Sequence, residues 1–259
     1  MIIDAHAHII VPEITRDAAP RQTWRPRVTW EGERQVIESE GAALRSAPRE
    51  FVRIDRVLDE MTAAGVDRVV LTPFVPLLRY DAEPSDALES GRIQNDALAR
   101  LVRAHPNRIS ALGTVPLQDP ALAAGELESL MAAGDLRGVE VTTSVRRVYL
   151  GDDRFRPFWE AAEATGAVVF IHPTTRDFDL PVLKEYFMQN TVGNPLETTI
   201  VAAHLIMAGV MEAHPRLKVL LAHAGGGILS LRGRLRHAHT YHPQARARLR
   251  ESPEASLRR

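Results

Sequence analysis

Cysteine is absent from the 259 residues, which removes disulfides and thiolate metal ligands together, so any metal here is held by His and carboxylate. Lysine is nearly absent as well, with Lys184 and Lys218 the only two among 32 Lys and Arg. There is no excess of either charge: the formal net charge is −1, which argues against a molecule built as a whole to seek nucleic acid or an anionic membrane. No hydrophobic run approaches the roughly 20 residues of a membrane helix, and the N-terminus lacks the basic start of a secretory signal. The expectation is a cytoplasmic protein with no nucleic-acid or membrane partner. What the chain does have is 45% hydrophobic residues, enough over this length to bury the core of one large α/β domain spanning 1–259.

The first nine residues, Met-Ile-Ile-Asp-Ala-His-Ala-His-Ile, place Asp4, His6 and His8 at alternate positions of a β-branched run. Alternate side chains of a strand share a face, so all three are expected to point the same way. Two imidazoles at the end of a buried strand make half of a metal site; the plain alternative is a pair of satisfied core histidines. A long irregular insertion, 11–50, carries Pro12, Pro20, Pro26 and Pro48 with Trp24 and Trp30, and loops of that length inside a domain are usually lids or binding loops.

From Ile54 onward the pattern alternates. Helical spacing over 54–65 ends at Gly65, a C-cap, and strands are read at 66–74, 108–115, 136–142, 167–172 and 217–223. Helices are read at 85–104, 120–133, 153–165 and 197–213. Nearly all-apolar strands alternating with helices imply parallel βα units with both sheet faces covered. In barrels of such units, function gathers at the C-terminal strand ends. Those ends carry His6 and His8, His172 in Phe-Ile-His-Pro, and His223 in Leu-Leu-Ala-His-Ala-Gly-Gly-Gly. Singly, His172 can serve a proline turn and His223 a glycine turn; jointly the four point to a metal or catalytic centre. His105 and His214, each followed by proline after a helix, read as structural. The Arg-rich tail with His237, His239 and His242 reads as a solvated helix face rather than a nucleic-acid patch.

Asp4-Ala-His6-Ala-His8, Phe170-Ile-His172-Pro173, Gly193-Asn-Pro-Leu-Glu-Thr-Thr199 and Leu217-Lys-Val-Leu-Leu-Ala-His223-Ala-Gly-Gly-Gly227 together resemble the amidohydrolase superfamily, and within it the aminocarboxymuconate-semialdehyde decarboxylase branch. The resemblance runs the length of the chain. It implies an α/β fold of the TIM-type (β/α)8 barrel kind and one divalent metal, Zn2+ by preference. His6, His8 and His172 are then metal ligands, and His223 is the catalytic residue acting on metal-activated water. Three His ligands with an open position suit that chemistry, since zinc lowers the pKa of bound water toward about 7 and a nearby imidazole accepts its proton. The fourth strand, Gly138-Val-Glu-Val-Thr-Thr143, lacks the lysine that bridges two metals elsewhere in the superfamily, so a single-metal site is expected. The family's further aspartate ligand belongs to an eighth strand. No seventh or eighth strand precedes Arg259, so the chain reads as a C-terminally truncated member with about six βα units.

That resemblance leads to a metal-dependent non-oxidative decarboxylase, a carboxy-lyase, of a small unsaturated or aromatic carboxylate. The alternatives are a metal-dependent hydrolase of an amide, ester or lactone, and an inactive fragment acting only through assembly. Arg49 and Arg234 are candidates for gripping the substrate carboxylate, each also readable as a solubilising surface residue, and Phe74 is a candidate pocket wall or plain packing. Edge strands left open by an incomplete barrel lead to the expectation of a homo-oligomer, a dimer.

Overall fold

The structure is a computed structural model that describes residues 1–15, 22, 24–32, 34–39, 42–48, 53–174 and 180–258. It divides into two compact units, the first made of 1–116 and 130–140, the second of 117–129 and 141–259.

The first unit begins with β1 (Ile3–Ile9), followed by β2 (Arg27–Glu31), β3 (Arg34–Ser39) and β4 (Ala42–Pro48). These last three form an antiparallel sheet in the order β2-β3-β4 inside the segment read from sequence as irregular. Its pattern escapes a period-two reading because the consecutive residues Val36 and Ile37 are both buried. Helix α1 (Ile54–Ala63) stops where Gly65 takes a φ of 69°. There Val66 N–H reaches back to Met61 O at 2.8 Å, the reverse turn that the glycine permits. Strand β5 (Arg68–Pro73), helix α2 (Pro84–Ala104) and strand β6 (Ile109–Ala111) follow, and β1, β5 and β6 form one sheet in that order. Both pairings are parallel, as the apolar runs required. Helix α3 (Pro120–Ala133), whose residues 120–129 belong to the second unit, leads to β7 (Gly138–Thr142), whose Val139 bridges Gly113 in parallel.

Asn95 ties α2 to the chain leaving β6. Its Nδ2 donates to Thr114 O at 2.9 Å while its Oδ1 accepts from Thr114 N at 2.8 Å. Gly113 is small for the same reason: a Cβ there would meet Asn95 Oδ1 at 2.4 Å.

In the second unit a two-stranded hairpin joins β8 (Ser144–Val145) to β9 (Val148–Tyr149). The turn residues Arg146 and Arg147 both have positive φ, 49° and 65°, the twist a two-residue hairpin prefers. Helix α4 (Arg156–Thr165) buries Phe158 and Trp159, and Trp159 Nε1 donates to Leu150 O at 2.9 Å. Strand β10 (Val168–His172) pairs in parallel with β11 (Lys218–Leu221). Between them lie α5 (Asn194–Met207) and α6 (Val210–Ala213), where the sequence pattern gave one helix. The break is Gly209, with φ 77° and Arg248 O lying 2.8 Å from where a Cβ would stand. The apolar periodicity continues across this point, so it hides the interruption. Helices α7 (Ile228–Tyr241) and α8 (Pro253–Ser256) complete the unit.

Asn95→Ala leaves the buried Thr114 N–H and C=O without their side-chain partner. The expected cost is about 1–3 kcal/mol, read as a lower denaturation midpoint with an unchanged slope. A midpoint equal to that of the parent chain would show that the clamp contributes nothing.

Candidate metal and catalytic site

The first strand does not run as a simple alternation. Asp4 pairs with Val69 and Ala7 with Leu71, so β1 spends three steps where β5 spends two. One extra residue in one strand is a β-bulge, which re-aims the side chains beside it. Asp4, expected on the same face as the histidines, instead turns Oδ1 onto its own backbone and accepts from His6 N at 3.0 Å. His6 and His8 are brought together: their Nε2 atoms lie 3.1 Å apart and their rings meet edge to face at 5.0 Å. Burial holds the His6 imidazole below its usual pKa, with the Asp4 charge pulling the other way. A neutral ring with a lone pair is the form that binds a cation. A cavity of about 440 Å³ opens beside the pair, lined among others by Val57, Glu60, Met61 and Val69.

His8 is held from its other nitrogen. Nδ1 lies 2.9 Å from Thr72 Oγ1, 3.1 Å from Pro73 O and 3.6 Å from Glu140 Oε1. The Phe74 ring stands 6.4 Å from the His8 ring at 73°. Glu140 is fully buried on β7. Neither of its oxygens has a hydrogen bond of good geometry. Burial pushes its carboxyl well above the usual range, while the nearby Thr72 hydroxyl works in the opposite direction. The sequence reading passed over Glu140 and Thr72. The available signal was a lone carboxylate in the otherwise apolar Gly-Val-Glu-Val run.

In the second unit, His172 ends β10 with its side chain buried and its Nδ1 2.7 Å from Pro173 O. The His172 and His223 rings are 5.1 Å apart at 64°, so the structure brings these two together. His223 leaves the strand with φ 52°, and Ala224, Gly225 and Gly226 are also at positive φ. A non-glycine residue held in this region is a strained arrangement of the kind found at working sites. Gly226 is required sterically, because a Cβ would lie 2.2 Å from Pro195 O. Gly227 N donates to Thr199 Oγ1 at 2.7 Å, which docks the glycine loop on the start of α5. Thr198 Oγ1 donates to Asn194 O at 3.0 Å, so its lone pairs face His223 Nδ1 at 3.4 Å. Also on α5, Glu197 is fully buried and accepts from Thr143 Oγ1 at 2.6 Å.

Of the predicted carboxylate-binding arginines, Arg234 stands exposed on α7, and Arg49 lies outside the described residues. His105 and His214 cap α2 and α6 as read from sequence. His239 on α7 lies 2.9 Å from Leu249 O, a structural contact.

The amidohydrolase family model matches residues 3–257. A 2-amino-3-carboxymuconate-6-semialdehyde decarboxylase from Dictyostelium discoideum is 32% identical over 186 residues, which cover 72% of this chain and 52% of that protein. The chain thus spans about half the length of this relative. Among solved structures, 5-carboxyvanillate decarboxylase from Sphingomonas paucimobilis superposes with a TM-score of 0.80 at 26% identity, covering 100% of this chain and 78% of that one. The Novosphingobium aromaticivorans 5-carboxyvanillate decarboxylase, complexed with manganese and 4-hydroxy-3-methoxy-5-nitrobenzoic acid, gives 0.71 at 23% identity, with 79% and 58% covered. Among the described residues no helix is long and apolar enough to cross a membrane. The fold class is the TIM-type (β/α) barrel expected from the sequence, seen here as parallel βα units without a closed ring among the described strands. By its motifs, its parallel βα architecture and a match over nearly its whole length, the chain belongs to the amidohydrolase family.

Proposed function

We propose that this chain carries the metal site of a non-oxidative decarboxylase, a carboxy-lyase acting on a small aromatic or unsaturated carboxylate. The observation that carries this reading is the His6–His8 pair, whose Nε2 atoms stand 3.1 Å apart. Two nitrogens bound at about 2.0–2.1 Å to one tetrahedral ion are separated by about this much. The motifs that resemble the family, Asp4-Ala-His6-Ala-His8 and Phe170-Ile-His172-Pro173, support His6, His8 and His172 as the three nitrogen ligands of one divalent ion. The donor set fits such an ion, because each ring contributes a neutral imidazole. His8 and His172 both have Nδ1 beside a backbone oxygen, which supports Nε2 as the ligand atom. Zn2+ suits three nitrogens, and Mn2+, the ion in the Novosphingobium neighbour, is the other ion to test. When bound, the ion supplies a Lewis acid that holds substrate oxygens and stabilises negative charge.

The remaining work falls to the chain's own groups. Decarboxylation breaks one C–C bond, releases carbon dioxide and leaves an electron pair on carbon that a proton must meet. His223 moves that proton at Nε2, its Nδ1 facing the Thr198 oxygen. Phe74 walls the substrate beside His8. Arg49 and Arg234 are the proposed carboxylate-binding residues, a guanidinium being matched to two carboxylate oxygens. The working form proposed is a cytoplasmic homodimer.

Titration of the purified chain with MnCl2 or ZnCl2 is expected to show one ion per chain. His6→Ala, His8→Ala and His172→Ala should each weaken binding by at least about tenfold, on the scale at which even supporting residues matter. Any of the three that binds metal as the parent does is not a ligand.

His223→Ala is expected to keep metal affinity within a few-fold while lowering kcat by about 10²–10⁴, the usual worth of a proton-transfer group. Carbon dioxide release from a panel of hydroxybenzoates and carboxymuconates gives the rate. Turnover only of amides, esters or lactones would replace the carboxy-lyase by a hydrolase, and loss of metal with His223 would make that residue a ligand.

A further inference from the structure

Glu140 has no place in the mechanism above, and the fold does not account for it. A fully buried carboxyl whose two oxygens lack well-formed hydrogen bonds lowers stability, and its neighbours Val139 and Val141 are buried and apolar, so a valine or leucine would suit the core better. Its surroundings are specific. Oε1 lies 3.6 Å from His8 Nδ1, and the Thr72 hydroxyl stands 2.9 Å from that same nitrogen and beside the carboxyl.

Thr72 is the ambiguous member of this group. A hydroxyl both donates and accepts. If it donates to His8 Nδ1, the ring proton moves to Nε2 and the ligand lone pair is lost. If it donates elsewhere, Oγ1 accepts from Nδ1–H and Nε2 keeps its lone pair. The other oxygens within reach of the hydroxyl are Ala7 O at 3.4 Å and Pro73 O at 3.5 Å, both long. We propose that Glu140 is the positioning residue for His8: it accepts a hydrogen bond from the Thr72 hydroxyl, so that the chain of hydrogen bonds runs from His8 Nδ1–H to Thr72 Oγ1 and from the Thr72 hydroxyl to the Glu140 carboxyl, and holds His8 in the tautomer that presents Nε2 to a divalent ion. Glu140 acts through Thr72 and does not itself touch the ion or the substrate.

This inference rests on the proposed role of His8 as a ligand, and the two are separable. Mn2+ affinity is measured by calorimetry on the full chain, with thermal unfolding recorded for every variant. Glu140→Leu, which keeps size and removes the acceptor, is expected to weaken Mn2+ binding by about 10- to 100-fold. Glu140→Gln, which keeps a carbonyl acceptor, restores affinity to within a few-fold. In a Thr72→Val background the hydroxyl is gone and Pro73 O still faces Nδ1, so adding Glu140→Leu should cost less than about threefold, a non-additivity that a merely structural residue would not produce. Nitrogen NMR of metal-free wild type should show His8 protonated at Nδ1, and this measurement decides the matter even where Glu140→Leu fails to fold. A wild-type His8 protonated at Nε2, or a folded Glu140→Leu with parental affinity while His8→Ala has lost it, overturns the inference alone. Parental affinity in His8→Ala overturns the metal reading beneath it.

Discussion

One extra residue in β1 is the constraint on which the described site depends. Parallel pairing with β5 fixes Asp4 opposite Val69 and Ala7 opposite Leu71, and the chain between them has to bulge. The bulge is stabilised by Asp4, whose carboxylate takes the His6 N–H that the ladder leaves out. In return the His6 and His8 rings meet with their Nε2 atoms 3.1 Å apart. An unbulged strand would slip the residues on one side of it to the opposite face, so the histidine pair is a product of register as much as of residue choice.

Around that pair the first unit departs from the apolar composition of an ordinary strand interface. Thr72 is fully buried at the end of β5, and Glu140 is fully buried on β7. Polar groups in such places are retained at a cost in stability. Here they stand around one imidazole nitrogen, His8 Nδ1, at 2.9 and 3.6 Å. The unit balances this with apolar packing elsewhere, Val69, Leu71, Leu98 and Ile109 all being almost completely enclosed.

The second unit uses backbone strain for a comparable purpose. His223, Ala224, Gly225 and Gly226 in succession adopt positive φ, and the non-glycine members of that run each carry an unfavourable conformation of about 1–3 kcal/mol. The loop is held there because Gly226 lies directly against Pro195 O and Gly227 N–H is taken by Thr199. The Asn-Pro-Leu-Glu-Thr-Thr segment at the start of α5 thus receives the glycine loop, and the loop sets the His223 ring against His172. Two motifs that look independent in the sequence are one structural element.

Most of the skeleton was legible in the sequence. Apolar runs of strand length alternating with helical periodicity located β1, β5, β6, β7, β10 and β11, and α3 was placed at its observed ends, because these signals are local and depend only on which positions are apolar. The same locality showed four histidines at strand ends and, with cysteine absent, limited the metal donors to imidazole and carboxylate. Where the signal is not local the reading failed. The antiparallel strands at 27–48 have no clean alternation, and the break at Gly209 shows only against Arg248 O. Tertiary structure alone decided the bulge that separates Asp4 from the histidines, the seat of the glycine loop on α5, and the meeting of Thr72 and Glu140 at His8 Nδ1. Each of these depends on pairing register and on contacts between residues far apart in the chain, which residue order by itself does not specify.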